Sequence, residues 1–221
     1  MKIISIRFIN LSINNMKTLK EYIFESESTV AKFLKENYKG KFKISAEPNK
    51  DGKYEVSSTG KVELKNTSAT SLTNGEFIFT ECKSFFCEAS NITSLEGAPR
   101  IVKESFSIDE CENLTSLEGF PEEVGFQAFI SFLNIKDLTG MPEKIKGGVK
   151  LTCNPKLVSL KGCPKEIGGI FQCFGNKKLM GLENGPTHVK GISVDDNGKK
   201  FTKSYITSLI KIDEPEFGRG Y

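Results

Sequence analysis

The chain has 221 residues, of which 38% are hydrophobic and 27% charged, and its formal net charge is +3. This composition is typical of a folded soluble chain and excludes the classes of intrinsically disordered and membrane-embedded proteins. The small net charge gives no reason to expect nucleic-acid binding, which favours a strong and clustered basic excess.

The first 15 residues are apolar in character but do not form a recognisable targeting segment. Arg7 and Asn10 interrupt the apolar run, which is too short to span a bilayer, and no small-residue cleavage site follows it. We therefore expect a protein of the cytoplasm. Residues 1–15 are interpreted as a leader that lies upstream of an alternative start at Met16.

The segment "MKTLKEYIFES" that begins at Met16 contains two Leu/Ile-x-Glu triplets, which end at Glu21 and Glu25. It resembles the leader of proteins packaged inside the heads of some large phages, where a prohead protease cleaves after such a triplet. The resemblance implies cleavage after Glu21 or Glu25 and a place in the virion. Such leaders begin at the initiator Met, so residues 1–15 depart from the pattern. An ordinary amphipathic helix accounts for the same residues equally well.

The residues after this segment predict a small α+β unit. Apolar residues recur at helical spacing over one stretch: Val30, Phe33, Leu34 and Tyr38. Further on come "KFKIS" and then "NKDGKYEVS", in which an Asp51–Gly52 turn precedes an alternating segment, and together they predict a β-hairpin. We expect residues 16–60 to form an N-terminal cap on the remainder of the chain.

A repeat of 21–23 residues occupies most of the remaining chain. A Leu recurs at steps of 22, 21, 22 and 22 residues, and a Gly or its equivalent comes two positions later. A Pro comes four positions after each Leu, and a branched apolar residue three positions after each Pro. The three columns are Leu95, Leu117, Leu138, Leu160, Leu182; Pro99, Pro121, Pro142, Pro164, Pro186; and Val102, Val124, Ile145, Ile167, Val189.

Between these landmarks lies an apolar-x-apolar pattern, which is the period-2 signature of a strand with one buried face. It begins at Phe85, Phe106, Ala128, Val149, Phe171 and Ile192, with a weaker copy at Val62. Each unit is therefore expected to contain a strand, a turn, a corner made by Gly and Pro, and a return leg. One such unit cannot bury its own apolar side, so successive units are expected to stack.

The segments "VKLTCNPKL" and "FQCFGNKKL" resemble the LxLxxNxL core of leucine-rich repeats. More narrowly, "LTSLEG" followed by Pro resembles the degenerate LTSLEGxPxxVGG repeats of proteins from large tailed phages and some bacteria. We predict a mostly β member of the α/β repeat class, a leucine-rich-repeat-like solenoid of about six to seven coils over residues 61–200.

The resemblance also implies a ladder of Asn side chains that satisfies backbone groups inside the turns. The corresponding positions here are Thr67, Ser90, Cys111, Leu133, Asn154, Asn176 and Asn197. A ladder is therefore expected only in the C-terminal half of the solenoid. The neighbouring residues Leu133 and Asn134 suggest a local slip.

Residues 201–221 are expected to form a C-terminal capping helix and a tail. The helix is predicted over 199–212, with four apolar residues facing the last coil: Phe201, Tyr205, Leu209 and Ile212.

No constellation for chemistry emerges from the sequence. The six cysteines form no CxxC pair and are interpreted as free, mostly buried thiols in a reducing compartment. His188 is the single histidine, and the paired glycines belong to repeat corners rather than phosphate loops. We predict a non-enzymatic protein without a metal, a cofactor or a small-molecule substrate.

The outward strand positions are predicted to bind a protein partner, with no role for nucleic acid or a membrane. They are Phe86, Glu88, Ser107, Asp109, Phe129, Ser131, Lys150, Thr152, Gln172, Phe174, Ser193 and Asp195. Phe86, Phe129 and Phe174 are expected to form an apolar centre inside a polar rim, as protein-binding surfaces do. Alternatively, these rings pack under loops or against one another. The resemblance implies a phage-encoded protein that acts on a host or phage protein in the host cytoplasm, or else a packaged virion protein.

Overall fold

The computed structural model describes residues 29–65, 68–194 and 201–213. Over these residues the chain is a mostly β solenoid of about seven turns with two helices, which confirms the predicted fold class. Helix α1 covers residues 29–37 and α2 covers Lys203–Leu209. The strands are β1 (Tyr38–Lys39), β2 (Lys43–Ile44), β3 (Tyr54–Ser57), β4 (Lys61–Leu64), β5 (Phe77–Cys82), β6 (Ser84–Glu88), β7 (Ile101–Val102), β8 (Ser105–Asp109), β9 (Glu123–Val124), β10 (Gln127–Ser131), β11 (Lys144–Ile145), β12 (Gly148–Thr152), β13 (Glu166–Phe174), β14 (His188–Val194) and β15 (Lys211–Ile212).

One long sheet, here called the front sheet, runs the length of the solenoid. Its order is β1-β4-β6-β8-β10-β12-β13-β14-β15, and every pair is parallel except β1 with β4. Each coil contributes one strand that pairs with the equivalent strand of the next coil. The inward residues are buried as predicted: Phe85, Cys87, Phe106, Ile108, Ala128, Ile130, Val149, Leu151, Phe171, Cys173 and Ile192.

The return legs form shorter strands at the back, a pairing that the sequence pattern did not predict. In the N-terminal half they make a second sheet in the order β2-β3-β5-β7-β9. Farther along, β11 pairs with the start of β13, which pairs in turn with the start of β14. The branched apolar column of the repeat lies inward on these legs and is buried throughout: Val102, Val124, Ile145, Ile167 and Val189.

Glycine is required at the predicted corners because the backbone there is left-handed. Gly97, Gly119, Gly140 and Gly162 have φ values of 84°, 88°, 107° and 81°. Space is also short, since a Cβ at Gly119 would lie 2.7 Å from the carbonyl of Leu95 on the preceding coil. The column of Leu residues next to these corners is fully buried, as the repeat pattern predicted.

A second left-handed position comes after each front strand and is filled mostly by residues other than glycine. The column comprises Ala89, Glu110, Phe132, Cys153 and Gly175, with φ between 45° and 65°. Phe132 has the same left-handed conformation as the other members of the column, and the next residue, Leu133, is buried. The irregularity expected at Leu133 and Asn134 lies just after this column, because buried Ile135 comes two positions after Leu133, whereas buried Leu114 comes three positions after Cys111. The uniform turn conformation keeps the register even where the residue types change.

The asparagine ladder exists in the C-terminal half, as the resemblance implied. Asn154 and Asn176 are fully buried. Asn154 Oδ1 accepts from the N–H of Leu133 at 3.0 Å, and Asn154 Nδ2 donates to the carbonyl of Ile130 at 3.1 Å. Asn176 Oδ1 accepts from the N–H of Asn154 at 2.9 Å, and Asn176 Nδ2 donates to Leu151 O at 3.1 Å. Each side chain thus joins two coils. The ladder positions Thr67 and Asn197 lie outside the described residues.

The N-terminal unit caps the first coil with a helix and a hairpin, as predicted. Helix α1 buries Val30 and Leu34, while Tyr38 begins β1 and donates its hydroxyl to Leu72 O at 2.6 Å. Strands β2 and β3 pair antiparallel around the turn that contains Gly52, which has a φ of 75°.

The C-terminal helix is shorter than predicted and buries a different residue. Thr202 caps α2 by accepting from the N–H of Tyr205, and the chain becomes extended at Ile210. Ile206 is 3% exposed, whereas Leu209, which was expected to face the last coil, is 36% exposed. The prediction was wrong here because β15 pairs with β14 directly after the helix, and this pairing fixes which side of α2 faces the solenoid.

Candidate interaction surface

The outward side of the front sheet, here called the front face, presents the predicted strand positions in register. The middle column pairs residue by residue along the solenoid, as the repeat spacing predicted. It consists of Glu63, Phe86, Ser107, Phe129, Lys150, Gln172 and Ser193. The next outward column consists of Glu88, Asp109, Ser131, Thr152 and Phe174. The last predicted member, Asp195, lies outside the described residues, as do the cleavage candidates Glu21 and Glu25.

The three phenylalanines of the front face are half-buried and do not form one continuous centre. Ser107 lies between Phe86 and Phe129 in the middle column, so these two rings are two strand spacings apart, or about 9.5 Å. Phe174 belongs to the neighbouring column, two strands beyond Phe129. The predicted apolar centre is thus three separate rings with polar residues between them.

Ser107 is less accessible than its predicted partner-binding role requires. It is 8% exposed although it lies in an outward column. The reason is its size, because a small side chain between Phe86 and Phe129 on adjacent strands is shielded by both. Phe86 is itself covered on one side, since Lys61 Nζ lies 4.2 Å from the centre of its ring in a cation–π contact.

Three buried side-chain polar atoms on the front face have no hydrogen-bond partner within the described residues. They are Asp109 Oδ1, Gln127 Nε2 and Thr152 Oγ1. These residues lie on the adjacent strands β8, β10 and β12, and each side chain projects outward beside the column of Phe129. Buried polar groups in folded proteins are nearly always paired, so a group of three on one face calls for an explanation.

The Asp109 carboxyl lies near two other carboxylates, those of Glu110 and Glu88. Burial raises the pKa of the Asp109 carboxyl, and the nearby carboxylates of Glu110 and Glu88 raise it further. Among the described residues, none of these three carboxylates takes part in an ion pair. Glu63, farther along the front face, contrasts with them because it contacts both Lys39 and Lys61.

Two exposed aromatic residues that the sequence patterns did not identify flank β10. Phe126 precedes the strand and is 66% exposed, and Phe132 comes after it and is 47% exposed. Aligning the repeats would have found them, because Phe126 corresponds to Glu104 and Phe132 to Glu110, which are hydrophilic positions. Together with Phe129 they place three phenylalanines within residues 126–132, one on β10 and one at each end of it.

We call the group of residues centred on this strand the β10 patch. It comprises Asp109, Phe126, Gln127, Phe129, Phe132 and Thr152. The patch combines exposed aromatic surface with all three unpartnered polar atoms found in the described part of the chain.

The back of the solenoid differs because its charges are neutralised between coils. Arg100 forms two parallel hydrogen bonds to Glu122, from Nε at 2.9 Å and from Nη2 at 3.0 Å. Lys103 Nζ also pairs with a residue of the preceding coil, through a single contact of 3.0 Å to Glu81 Oε2. Further pairs of this kind join Lys83 to Glu104, Lys144 to Glu166 and Lys146 to Glu123.

An open cleft of about 470 Å³ lies beside α1, with Leu34, Tyr38 and Phe42 among its lining residues. Two of its lining lysines are engaged, since Lys65 Nζ donates to Lys35 O and Lys39 contacts Glu63. Across the three described ranges, no group of three His, Cys, Asp or Glu side chains is placed to hold a metal ion. In that same part of the chain, no helix has the length and apolar character that crossing a bilayer requires.

The thiols are free, as predicted, and five of the six are buried. Cys163 fills the corner slot before Pro164, and burial raises the pKa of its thiol. Cys87 and Cys111 lie close together in the core, with their sulfur atoms 3.7 Å apart.

Comparisons of the chain with protein-family models, with curated proteins and with solved structures found no match. The role of the front face is therefore inferred from the residues of the chain itself.

Proposed function

We propose that the chain is a non-enzymatic interaction module that binds a protein partner on its front face, with the β10 patch at the centre of the contact. The observation that carries this proposal is the coincidence of three unpartnered polar atoms with exposed aromatic side chains on adjacent strands.

The unpartnered atoms favour a partner with hydrogen-bonding groups of its own. Leaving a buried polar group unsatisfied costs about 1–3 kcal/mol. When these half-buried side chains turn outward on contact, a polypeptide can supply a donor for Asp109 Oδ1, an acceptor for Gln127 Nε2 and either group for Thr152 Oγ1. Binding would then remove a cost that the free protein carries.

The aromatic residues favour a protein partner for a second reason. Large rings surrounded by polar groups are the usual centre of a protein-binding surface, where a few aromatic residues contribute most of the affinity. The β10 patch extends over roughly 20 Å along the strand and roughly 10 Å across three strands. A stable interface covers about 800 Å² on each partner, so the contact would extend to Phe86 and Phe174 as well.

The nature of the partner is inferred from the resemblance of the repeats rather than from the geometry. Since the LTSLEGxPxxVGG pattern resembles repeats of large tailed phages, we place the partner among phage or host proteins of the infected cytoplasm.

The test is affinity capture with immobilised wild-type protein and matched variants. Phe129→Asp puts a charge at the centre of the patch and is expected to reduce recovery of the partner about tenfold or more, because loss of a central aromatic costs about 2 kcal/mol or more. Ile101→Asp, at an exposed apolar position on the back, is the matched control and is expected to leave recovery unchanged.

A further variant separates binding from folding. Ser131→Arg adds bulk next to Phe129 without removing a packed side chain, so its thermal midpoint should stay close to that of the wild type. Equal recovery with Phe129→Asp, Ser131→Arg and the wild type would sink the proposal. Loss of recovery with Ile101→Asp alone would move the binding surface to the back.

A further inference from the structure

Two cysteine thiols on neighbouring coils lie in contact inside the solenoid, beneath β6 and β8, which carry Glu88 and Asp109 on the front face. Cys87 is the inward residue near the end of β6, and Cys111 comes after β8 on the next coil. Their sulfur atoms are 3.7 Å apart, and both side chains are fully buried. Ser90 Oγ lies 3.1 Å from Cys87 Sγ and 3.3 Å from Cys111 Sγ.

We propose that Cys87 and Cys111 form an oxidation site, at which hydrogen peroxide converts the two thiols into a disulfide that joins adjacent coils.

The distances suit this bond. A disulfide has a sulfur–sulfur distance of about 2.05 Å, so the two atoms must approach by less than about 2 Å, and two side-chain rotations can share this movement. Cys87 lies opposite Ile108 on the adjacent strand, and the turn that follows β8 brings the side chain of Cys111, three residues later, into contact with Cys87. Cys111 Sγ also lies 3.8 Å from the carbonyl oxygen of Cys87, so its side chain already reaches the backbone of the preceding coil.

The surroundings assign different roles to the two thiols. The hydrogen bond from Cys87 lowers the pKa of the Cys111 thiol, and Ser90 contributes in the same direction. The pKa of Cys87 is raised by the same hydrogen bond and by burial. We accordingly assign the first reaction to the Cys111 thiol and the resolving step to Cys87, whose sulfur atom lies in contact with it.

The reaction balances with one peroxide molecule. The Cys111 thiolate attacks one peroxide oxygen, the O–O bond breaks, and the departing hydroxide takes up a proton to form water. The Cys87 sulfur then gives up its proton and attacks the sulfenic sulfur of Cys111. The S–S bond forms, the S–O bond breaks, and a second water leaves. Two thiols and one peroxide thus give one disulfide and two waters.

Both sulfur atoms are buried, so peroxide reaches them through local opening of the coil, and the reaction is slower than at an exposed thiol. The product cross-links residues that are 24 positions apart in sequence. Closing a loop of this length restricts the unfolded chain, and we expect the thermal midpoint to rise by roughly 5–10 °C.

The experiment treats the intact protein with limiting hydrogen peroxide, removes the excess, unfolds the chain and alkylates the remaining thiols. Mass spectrometry is expected to find four alkylated cysteines instead of the six of the reduced chain, together with a linked peptide pair containing Cys87 and Cys111. The oxidised wild type is then compared with the same sample after reduction, and only the oxidised form should have the raised thermal midpoint.

Cys111→Asn is the matched control because asparagine fills the equivalent position at Asn154 and Asn176. Peroxide should neither cross-link this variant nor change its midpoint. The proposal is overturned if Cys87 and Cys111 remain alkylatable while the half-buried Cys153 is oxidised. It is also overturned if Cys111 proceeds to the sulfinic acid without a cross-link. Both outcomes are read from the wild type, so they stand even if the variant does not fold.

Discussion

At the residue scale, the C-terminal coils are joined by buried amide side chains. Asn154 accepts from Leu133 N–H and donates to Ile130 O, which are groups of the coil before its own. Its Nδ2 lies 3.1 Å from Asn176 Oδ1, which links the two rungs of the ladder. In the N-terminal half Ser90 and Cys111 replace these amides. The two halves therefore satisfy their turns with different chemistry.

Asn154→Ala should lower the free energy of unfolding by about 2–4 kcal/mol, because two buried backbone groups lose their partners. Urea denaturation provides the measurement. Asn134→Ala is the control, since that half-buried side chain makes a single bond to Glu112 O and its loss should cost less than about 1 kcal/mol. Equal losses in the two variants would contradict the ladder.

Glu110→Gly should raise the free energy of unfolding by about 0.5–1 kcal/mol, since Glu110 is held at a φ of 52° that glycine adopts without strain. Glu112→Gly, at an exposed position without positive φ, should instead destabilise by about 0.5–1 kcal/mol. Thermal unfolding of both variants provides the comparison. A stabilising effect at both positions would show that relief of the positive φ at Glu110 is not the cause of the stabilisation.

The repeats allowed one column of left-handed residues to be predicted but not the other. Glycine recurs at Gly97, Gly119, Gly140 and Gly162, so the corner conformation could be inferred from residue type. After the strands the same conformation is held by residues as different as Glu110 and Phe132, and no residue type marks it. There the contacts between coils determine the backbone, so the turn keeps its conformation although the coil is one residue shorter directly after Leu133.

At the element scale, the position of α2 depends on its contacts with the last coil and on the strand directly after it. Ile206 alone is buried within this helix, and Tyr205 accepts from the N–H of Leu182 while donating to Glu183. Phe201 stacks on the Tyr205 ring at 5.7 Å. These contacts attach the C-terminal cap to the last corner of the solenoid.

Ile206→Ala should lower the free energy of unfolding by about 2–4 kcal/mol, because it leaves a cavity under the cap. Leu209→Ala should cost less than about 1 kcal/mol, since that side chain is already substantially exposed. Chemical denaturation of the two variants decides between the observed orientation and the one expected from helical spacing. A larger loss for Leu209→Ala would support the latter.

Helical spacing in the sequence could not predict that α2 buries Ile206 rather than Leu209. Tyr205, Leu209 and Ile212 match a helical stripe, yet the helix ends at Leu209 and Ile212 lies in β15. Strands of two residues, such as β7, β9 and β15, are too short to have a period in the sequence. Their existence depends on the coil beside them, and so does the orientation of the short helix.

At the scale of the whole molecule, the two sides of the solenoid are used differently. The back carries ion pairs between coils, such as Arg100 with Glu122 and Lys103 with Glu81. The front face carries half-buried rings and the three unpartnered polar atoms. The membership and register of its outward columns could be predicted, because strand alternation and repeat spacing determine both.

The centre of the candidate site could not be predicted in the same way. Alternation treats Phe86, Phe129 and Phe174 alike, but the observed register separates them and adds Phe126 and Phe132 around β10. Whether Asp109, Gln127 and Thr152 find partners depends on atomic positions that no residue pattern contains. Three-dimensional structure was needed to locate the β10 patch.

The most direct test of the front-face proposal is photo-crosslinking from one residue on each side of the solenoid. A photoreactive phenylalanine analogue replaces Phe129 in one variant and Ile101 in a second, and both are irradiated in the same lysate. The proposal predicts a discrete cross-linked partner from position 129 and none from position 101, with the product suppressed when Ser131→Arg is added. Cross-linking from position 101 alone, or an undiminished product in the presence of Ser131→Arg, would contradict it.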